Sequence, residues 1–160
     1  MRRATAVHAA GSWPDAQAAG SVTLTYDDRF RRRVRLADDS GEPFLLDLAR
    51  ALVLNEGDGL ELEGGGYLRV RAAPERLAEV HCHGEGELAR VAWHLGNRHL
   101  PVEIGRGVVR LRWDHVIVDM LHGLGAHVHE VTAPFTPEQG AYSGGGGHHH
   151  HGHGDHDHAH

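Results

Sequence analysis

Histidine is the residue this sequence has in excess, and imidazole chemistry is the first thing its pattern offers. Eight of the seventeen histidines crowd into "HHHHGHGDHDHAH" at 148–160: His148, His149, His150, His151, His153, His156, His158 and His160. Imidazole is a borderline ligand favoured by nickel, copper and zinc, and Asp155 and Asp157 add carboxylates that strengthen the hold on a divalent cation. The segment can therefore bind metal in many near-equivalent arrangements, which is the behaviour of a buffer. Four glycines ahead of four histidines also resemble a linker and purification tag. A tag is normally an uninterrupted run, however, and interspersed glycine, aspartate and alanine favour a natural tail.

A buffer alone does not account for the histidines elsewhere. His94 and His99 bracket "HLGNRHLP", where a helical pattern ends and the chain turns toward a strand. His115, Asp119 and His122 fall at i, i+4 and i+7, one face of a helix, and could form a surface metal site, although such histidines are more often only solvated. Cys82 in "HCH" is either a buried small hydrophobe or a further ligand. Its neighbours His81 and His83 point to the opposite face of a strand, so neither is placed as the base a cysteine nucleophile needs. One cysteine cannot form an internal disulfide, which agrees with a reducing, cytoplasmic compartment.

Other chemistries lack their motifs. No G-x-G-x-x-G follows a strand, there is no G-x-S-x-G, and a chain without lysine has no phosphate-binding G-x-x-x-x-G-K-[ST] loop. The formal charge of −6 argues against a nucleic-acid partner. The one basic cluster, "RFRRRVR", alternates like a solvated edge strand, with a docking patch for an acidic protein as the other reading. No apolar run approaches the ~20 residues of a membrane span, so no membrane is expected.

The elements that must position these residues divide in two. From Ser21 the pattern is β: "SVTLTY" and "RRVRLA" flank the turn segment "DDRF" as a hairpin, "FLLDLA" adds a strand, and "GLELEGGGYLRVRA" is a second hairpin around Gly64 to Gly66. Closely spaced short strands predict a small sandwich or barrel. Residues 1–20 read as a poorly ordered extension. Pro74 marks a boundary, giving a β domain over 21–73 and a second domain over 74–142.

In the second part strands and helices alternate. "RLAEVHCH" is strand-like, and "GELARVAWHL" places Leu88, Val91, Ala92 and Leu95 on one helical face, with Gly96 as the expected stop. "LPVEI" and "VVRLRW" form a hairpin around "GRG". Asp114 caps a helix whose face is Val116, Ile117, Met120, Leu121 and Leu124, Gly125 ends it, and "HVHEVTA" is the last strand. The order β-α-β-β-α-β predicts a ferredoxin-like arrangement within an α+β chain. Residues 143–160, rich in glycine and histidine, have no apolar face to bury and are expected to be disordered.

"AWHLGNRHLPVEI", "DHVIVDMLHGLGAHV" and "PFTPEQGAY", followed by a histidine-rich tail, resemble the UreE family of urease accessory proteins, which are nickel metallochaperones; "TLTYDDRFRRRVRL" and "FLLDLA" extend the resemblance over roughly residues 20–160. The resemblance implies a partner-binding β domain, a metal-binding and homodimerising ferredoxin-like domain, and Ni(II) as cargo. It implies that His99 meets its symmetry mate across the dimer axis, where a two-fold operator doubles every nearby ligand. Secondary ligands carry over to Cys82 and His115, while Trp113 stands where some members have another histidine. Implied partners are the urease apoprotein and its accessory proteins, including the GTPase of the maturation complex. The alternative from the residues alone is a histidine-rich storage or detoxification protein for Zn(II), Cu(II) or cobalt, since ligand type does not name the metal. A small enzyme using His99 as acid or base is a third reading, for which no substrate pocket is evident.

Overall fold

The computed structural model describes residues 1–139, so the histidine-rich segment expected to be disordered lies outside the described residues. The chain is mixed α+β. Strands β1 (Arg2–His8), β2 (Gly20–Leu24), β3 (Phe30–Ala37), β4 (Pro43–Val53), β5 (Gly59–Leu62) and β6 (Tyr67–Ala72) form one sheet in the order β2-β6-β5-β1-β4-β3. A 3-10 turn, Asp15–Gln17, precedes β2, and a single helical turn, α1 (Tyr26–Arg29), precedes β3.

Two expectations for this part are corrected. Residues 1–20 are not a loose extension: β1 lies inside the sheet, parallel to β4 on one side and antiparallel to β5 on the other, with Ala4 fully buried. Trp13 completes the segment by lying over β5 so closely that a Cβ on Gly59 would meet its ring at 2.4 Å, and its indole donates to the Gly57 carbonyl. "SVTLTY" and "RRVRLA" are not a hairpin either. The acidic segment between them winds into α1 rather than a tight turn, and β2 and β3 leave it for opposite edges of the sheet, β2 parallel to β6 and β3 antiparallel to β4. The hairpin around Gly64 to Gly66 forms as read, with all three glycines at positive φ. The arginine cluster sits on the edge strand β3 with Arg31, Arg32 and Arg33 exposed.

The sheet buries Val22, Leu24, Phe44, Leu46, Leu48, Leu54, Leu60, Leu62, Leu68 and Val70 together with Ala4. Among the described residues no helix contributes to this cluster. Asp38 pins the start of β1 to the β3–β4 turn. It accepts from the Ser40 hydroxyl (2.6 Å) and backbone N–H (2.9 Å), from the Glu42 N–H (3.0 Å) and from the Arg2 guanidinium (2.7 Å). The Ser40 hydroxyl foremost, then Arg2, holds its carboxyl well below the usual range.

Beyond Ala72 the strands change sheet. β7 (Pro74–His81), α2 (Glu85–Asn97), β8 (Glu103–Ile104), β9 (Val108–Arg112), α3 (His115–Gly123) and β10 (His127–Pro134) follow one another, and the strands are ordered β10-β7-β9-β8 with every pair antiparallel. Val91 and Leu95 of α2 and Ile117, Val118 and Leu121 of α3 pack with Ala78, Val80, Val109 and Leu111, so both helices cover one face of the sheet. Asp114 caps α3, its carboxylate accepting from the Val116 and Ile117 N–H groups. Val116, expected in the apolar face, is 55% exposed; the helix is turned so that Val118 meets the sheet instead. Among the described residues no helix is long and apolar enough to cross a membrane.

The chain passes directly from one sheet to the other at Ala73, and "PFTPEQ" makes a second link between them. Arg29 of α1 is fully buried and donates to the Leu54 carbonyl at 3.2 Å and to the Phe135 carbonyl. Phe135, also fully buried, meets Tyr26 edge to face, and Arg112 of β9 reaches Asp27 at 2.8 Å.

Deleting residues 2–8 should abolish cooperative unfolding of the first sheet, because an interior strand is lost; a sigmoidal urea transition of normal steepness would contradict this. Asp38→Asn should act through pH. A carboxyl held low in the folded state stabilises above its unfolded pKa, about 4, and that contribution fades as pH falls. Wild type should therefore exceed the variant in urea midpoint at neutral pH, and the gap should narrow toward pH ~3.

Candidate metal centre

His99 occupies an unusual backbone position. α2 runs through Gly96 to Asn97, so the glycine expected to stop it is helical, and the stop is His99 itself, the only non-glycine at positive φ (56°) among the described residues. The His99 N–H donates to the Gly96 carbonyl at 3.0 Å and the Leu100 N–H to the Leu95 carbonyl at 3.4 Å. These are the paired bonds of a Schellman helix end, with His99 where glycine is normally found. Leu100 completes it by packing against the core that contains Leu95. A Cβ in the left-handed region costs about 1–2 kcal/mol, which a glycine would avoid. The His99 ring makes no hydrogen bond to any described residue and is exposed, so its two nitrogens are free.

His115 is the first residue of α3 and exposed. The residues beside it and beside His99 line one hollow, formed by Leu100, Pro101, Trp113, Asp114 and Ile117, so the fold brings the two turns together. His94 lies in the last turn of α2, partly exposed, with its ring against the edge of Trp93 at 4.9 Å. Asp119 and His122 are exposed on α3. Cys82 follows β7, packs against the helix-covered core, and donates its backbone N–H to Gly107. Burial, and then the charge of Glu87, pushes its thiol up, so it stays protonated at neutral pH and must lose a proton before it can ligate. Among the described residues of one chain, no three histidine, cysteine or acidic side chains gather around a common point. His148 to His160 lie outside the described residues.

The open face of the second sheet holds what the sequence reading missed. His81 and His129 approach to 5.1 Å between ring centroids, and His83 and His127 to 5.3 Å. The signal was present in "VHCH" and "HVHE", two alternating histidine pairs, but only the β7/β10 register joins them.

Comparison with known proteins covers both parts of the chain. The family described as UreE urease accessory protein, N-terminal domain, matches residues 2–73, and its C-terminal domain counterpart matches residues 75–160. A urease accessory protein UreE of Beijerinckia indica is 49% identical over 90% of this chain and 83% of its own length. One from Chelativorans sp. is 50% identical over 89% of this chain and 87% of its own. One from Rhodopseudomonas palustris HaA2 is 48% identical over 89% of this chain and 66% of its own.

The backbone of His99 makes a test of its own. His99→Gly should raise stability by about 1 kcal/mol and His99→Ala should fall below the glycine variant by a similar amount, because only glycine escapes the Cβ penalty. Urea midpoints decide it; an alanine variant as stable as the glycine one would remove the argument that strain is held at this turn.

Proposed function

The chain belongs to the UreE family of urease accessory proteins, and from that premise we propose that it is a nickel metallochaperone, collecting Ni(II) and delivering it for assembly of the urease active site. The observation that carries the reading is His99: a free, exposed imidazole kept on a strained helix end where glycine would be cheaper to hold. Strain retained at one residue is a mark of a functional position. One such imidazole is too little to hold an ion, and a two-fold contact between copies supplies a second. Trp93, 64% exposed less than two turns before His99, and Val116, 55% exposed beside His115, supply apolar surface that such a contact would cover.

In this reading the second unit is a ferredoxin-like metal-binding and dimerisation domain, and the first, residues 2–73, is the partner-binding domain. Two axial imidazoles leave coordination positions open to water, to His115 or to tail histidines, so the ion can be accepted and released again. Cys82 and His94 stand as auxiliary ligands at most, given the raised thiol of the first and the Trp93 contact of the second. His148, His149, His150, His151, His153, His156, His158 and His160 raise the local supply of ions. The partners are the urease apoprotein and its maturation proteins, the GTPase among them, in the cytoplasm. The chain carries an ion and performs no catalysis. A storage or detoxification protein for Zn(II) or Cu(II) is the competing reading, and it places the work in the tail.

Nickel titration of the full chain, of His99→Ala and of a chain lacking residues 144–160 separates them. His99→Ala should stay folded, keep most of the bound ions and lose the tightest class. The truncated chain should do the reverse. Urease activation in cells limited for nickel should drop further in His99→Ala; a larger drop on truncation would favour storage. Affinity should fall as pH drops from ~7 to ~5, because imidazole ligates only when neutral.

A further inference from the structure

The open face of the second sheet carries a row of imidazoles that nickel delivery at His99 does not use. In the β7/β10 register His81 stands opposite His127 and Glu79 opposite His129, with Val80 and Val128 between them turned toward the helices. The rings then pair on the diagonal, His81 with His129 and His83 with His127, edge to face. His83, His127 and His129 are exposed, and the His81 side chain is 41% accessible. His81 and His129 lie 48 positions apart in the sequence and His83 and His127 lie 44 apart, so only the fold makes this row.

Glu79 determines which nitrogen of His81 is available. Its Oε1 lies 2.7 Å from His81 Nε2, and its Oε2 accepts from Arg110 at 2.7 Å. A carboxylate that already accepts from Arg110 accepts from His81 as well, so Nε2 is the donor and in the neutral ring Nδ1 is left with its lone pair. A carboxylate that fixes one ring nitrogen and leaves the other bare is the support that metal-binding histidines commonly have.

We propose that the diagonal pair His81 and His129, with His83 and His127 beside it, binds a borderline divalent cation such as Ni(II), Cu(II) or Zn(II) as a separate two-imidazole site. No third protein ligand closes around either pair among the described residues, so water completes the coordination and the ion exchanges readily. The site stands on strand register and holds whether or not His99 is where nickel is handed over.

Carbethoxylation of the full chain by diethyl pyrocarbonate at neutral pH, read at each histidine by mass spectrometry with and without Ni(II), tests it. Ni(II) should slow modification of His81 and His129 several-fold. In His129→Gln the protection of His81 should be lost, while that of His99 and the tail histidines persists; in His99→Ala the protection of His81 should be unchanged. Equal reaction of His81 with and without Ni(II) overturns the proposal, and so does protection of His81 that survives in His129→Gln. If His129→Gln fails to fold by circular dichroism, His81→Gln with His129 as the reporter gives the same decision. Loss of protection at His99 alone would count against the delivery reading and leave this one standing.

Discussion

A single buried guanidinium bridges the two sheets. Arg29 has no solvent exposure, and a lone charge so placed would cost several kcal/mol. It is tolerated because two carbonyls from distant parts of the chain, those of Leu54 and Phe135, accept from it and the Tyr26 ring lies 5.8 Å away. Each partner has its own reason to be there. Leu54 belongs to the first core, and Phe135 closes the second sheet immediately after β10. Arg112 and Asp27 repeat the link at the surface, where salt screens it and its contribution is small. The second unit is therefore held to the first sheet by a bond that neither unit can satisfy alone, and "PFTPEQ" is the strap that carries it.

That dependence explains why some of the fold was legible and some was not. Features set by neighbours in sequence could be read directly: the Gly64 to Gly66 hairpin, the Asp114 cap, the hairpin around "GRG" and the alternation of β7 and β9. Features set by distant partners could not. β1 shows little apolar alternation, since Ala4 is its one fully buried apolar side chain, and its place inside the sheet depends on a parallel pairing with β4 some forty residues on. The segment "YDDR" carries turn residues, and only its tertiary partners turn it into a helical one around Arg29. Val116 fails for a smaller reason, because a helix of nine residues can rotate to choose between near-equivalent apolar faces.

The candidate site shows the same division. That "GNRH" ends a helix was readable, and so was the interest of its histidine. Which residue takes the left-handed position was not, because Gly96 is the stronger signal and lies three residues too early. The Schellman bonds select His99, and the strain they impose separates that histidine from the other described histidines. The His81 row was invisible for the opposite reason: each pair of alternating histidines is unremarkable by itself, and register alone makes them neighbours.

Strand alternation then separates the possible ligands by chemistry. Cys82 turns toward the helices and is packed against apolar side chains, where burial and Glu87 keep its thiol protonated. His81 and His83 turn the other way, onto the open face. A thiolate beside those imidazoles would make a soft, tight site that favours zinc or Cu(I) and releases slowly. Keeping the sulfur on the far side of the sheet leaves imidazole, carboxylate and water as the accessible donors. Sites made from those bind by reversible steps and give up their ion as the imidazoles protonate or a better ligand arrives. For the nickel delivery proposed above, weak and open coordination would be a functional requirement, and here the pleat of one strand helps to supply it.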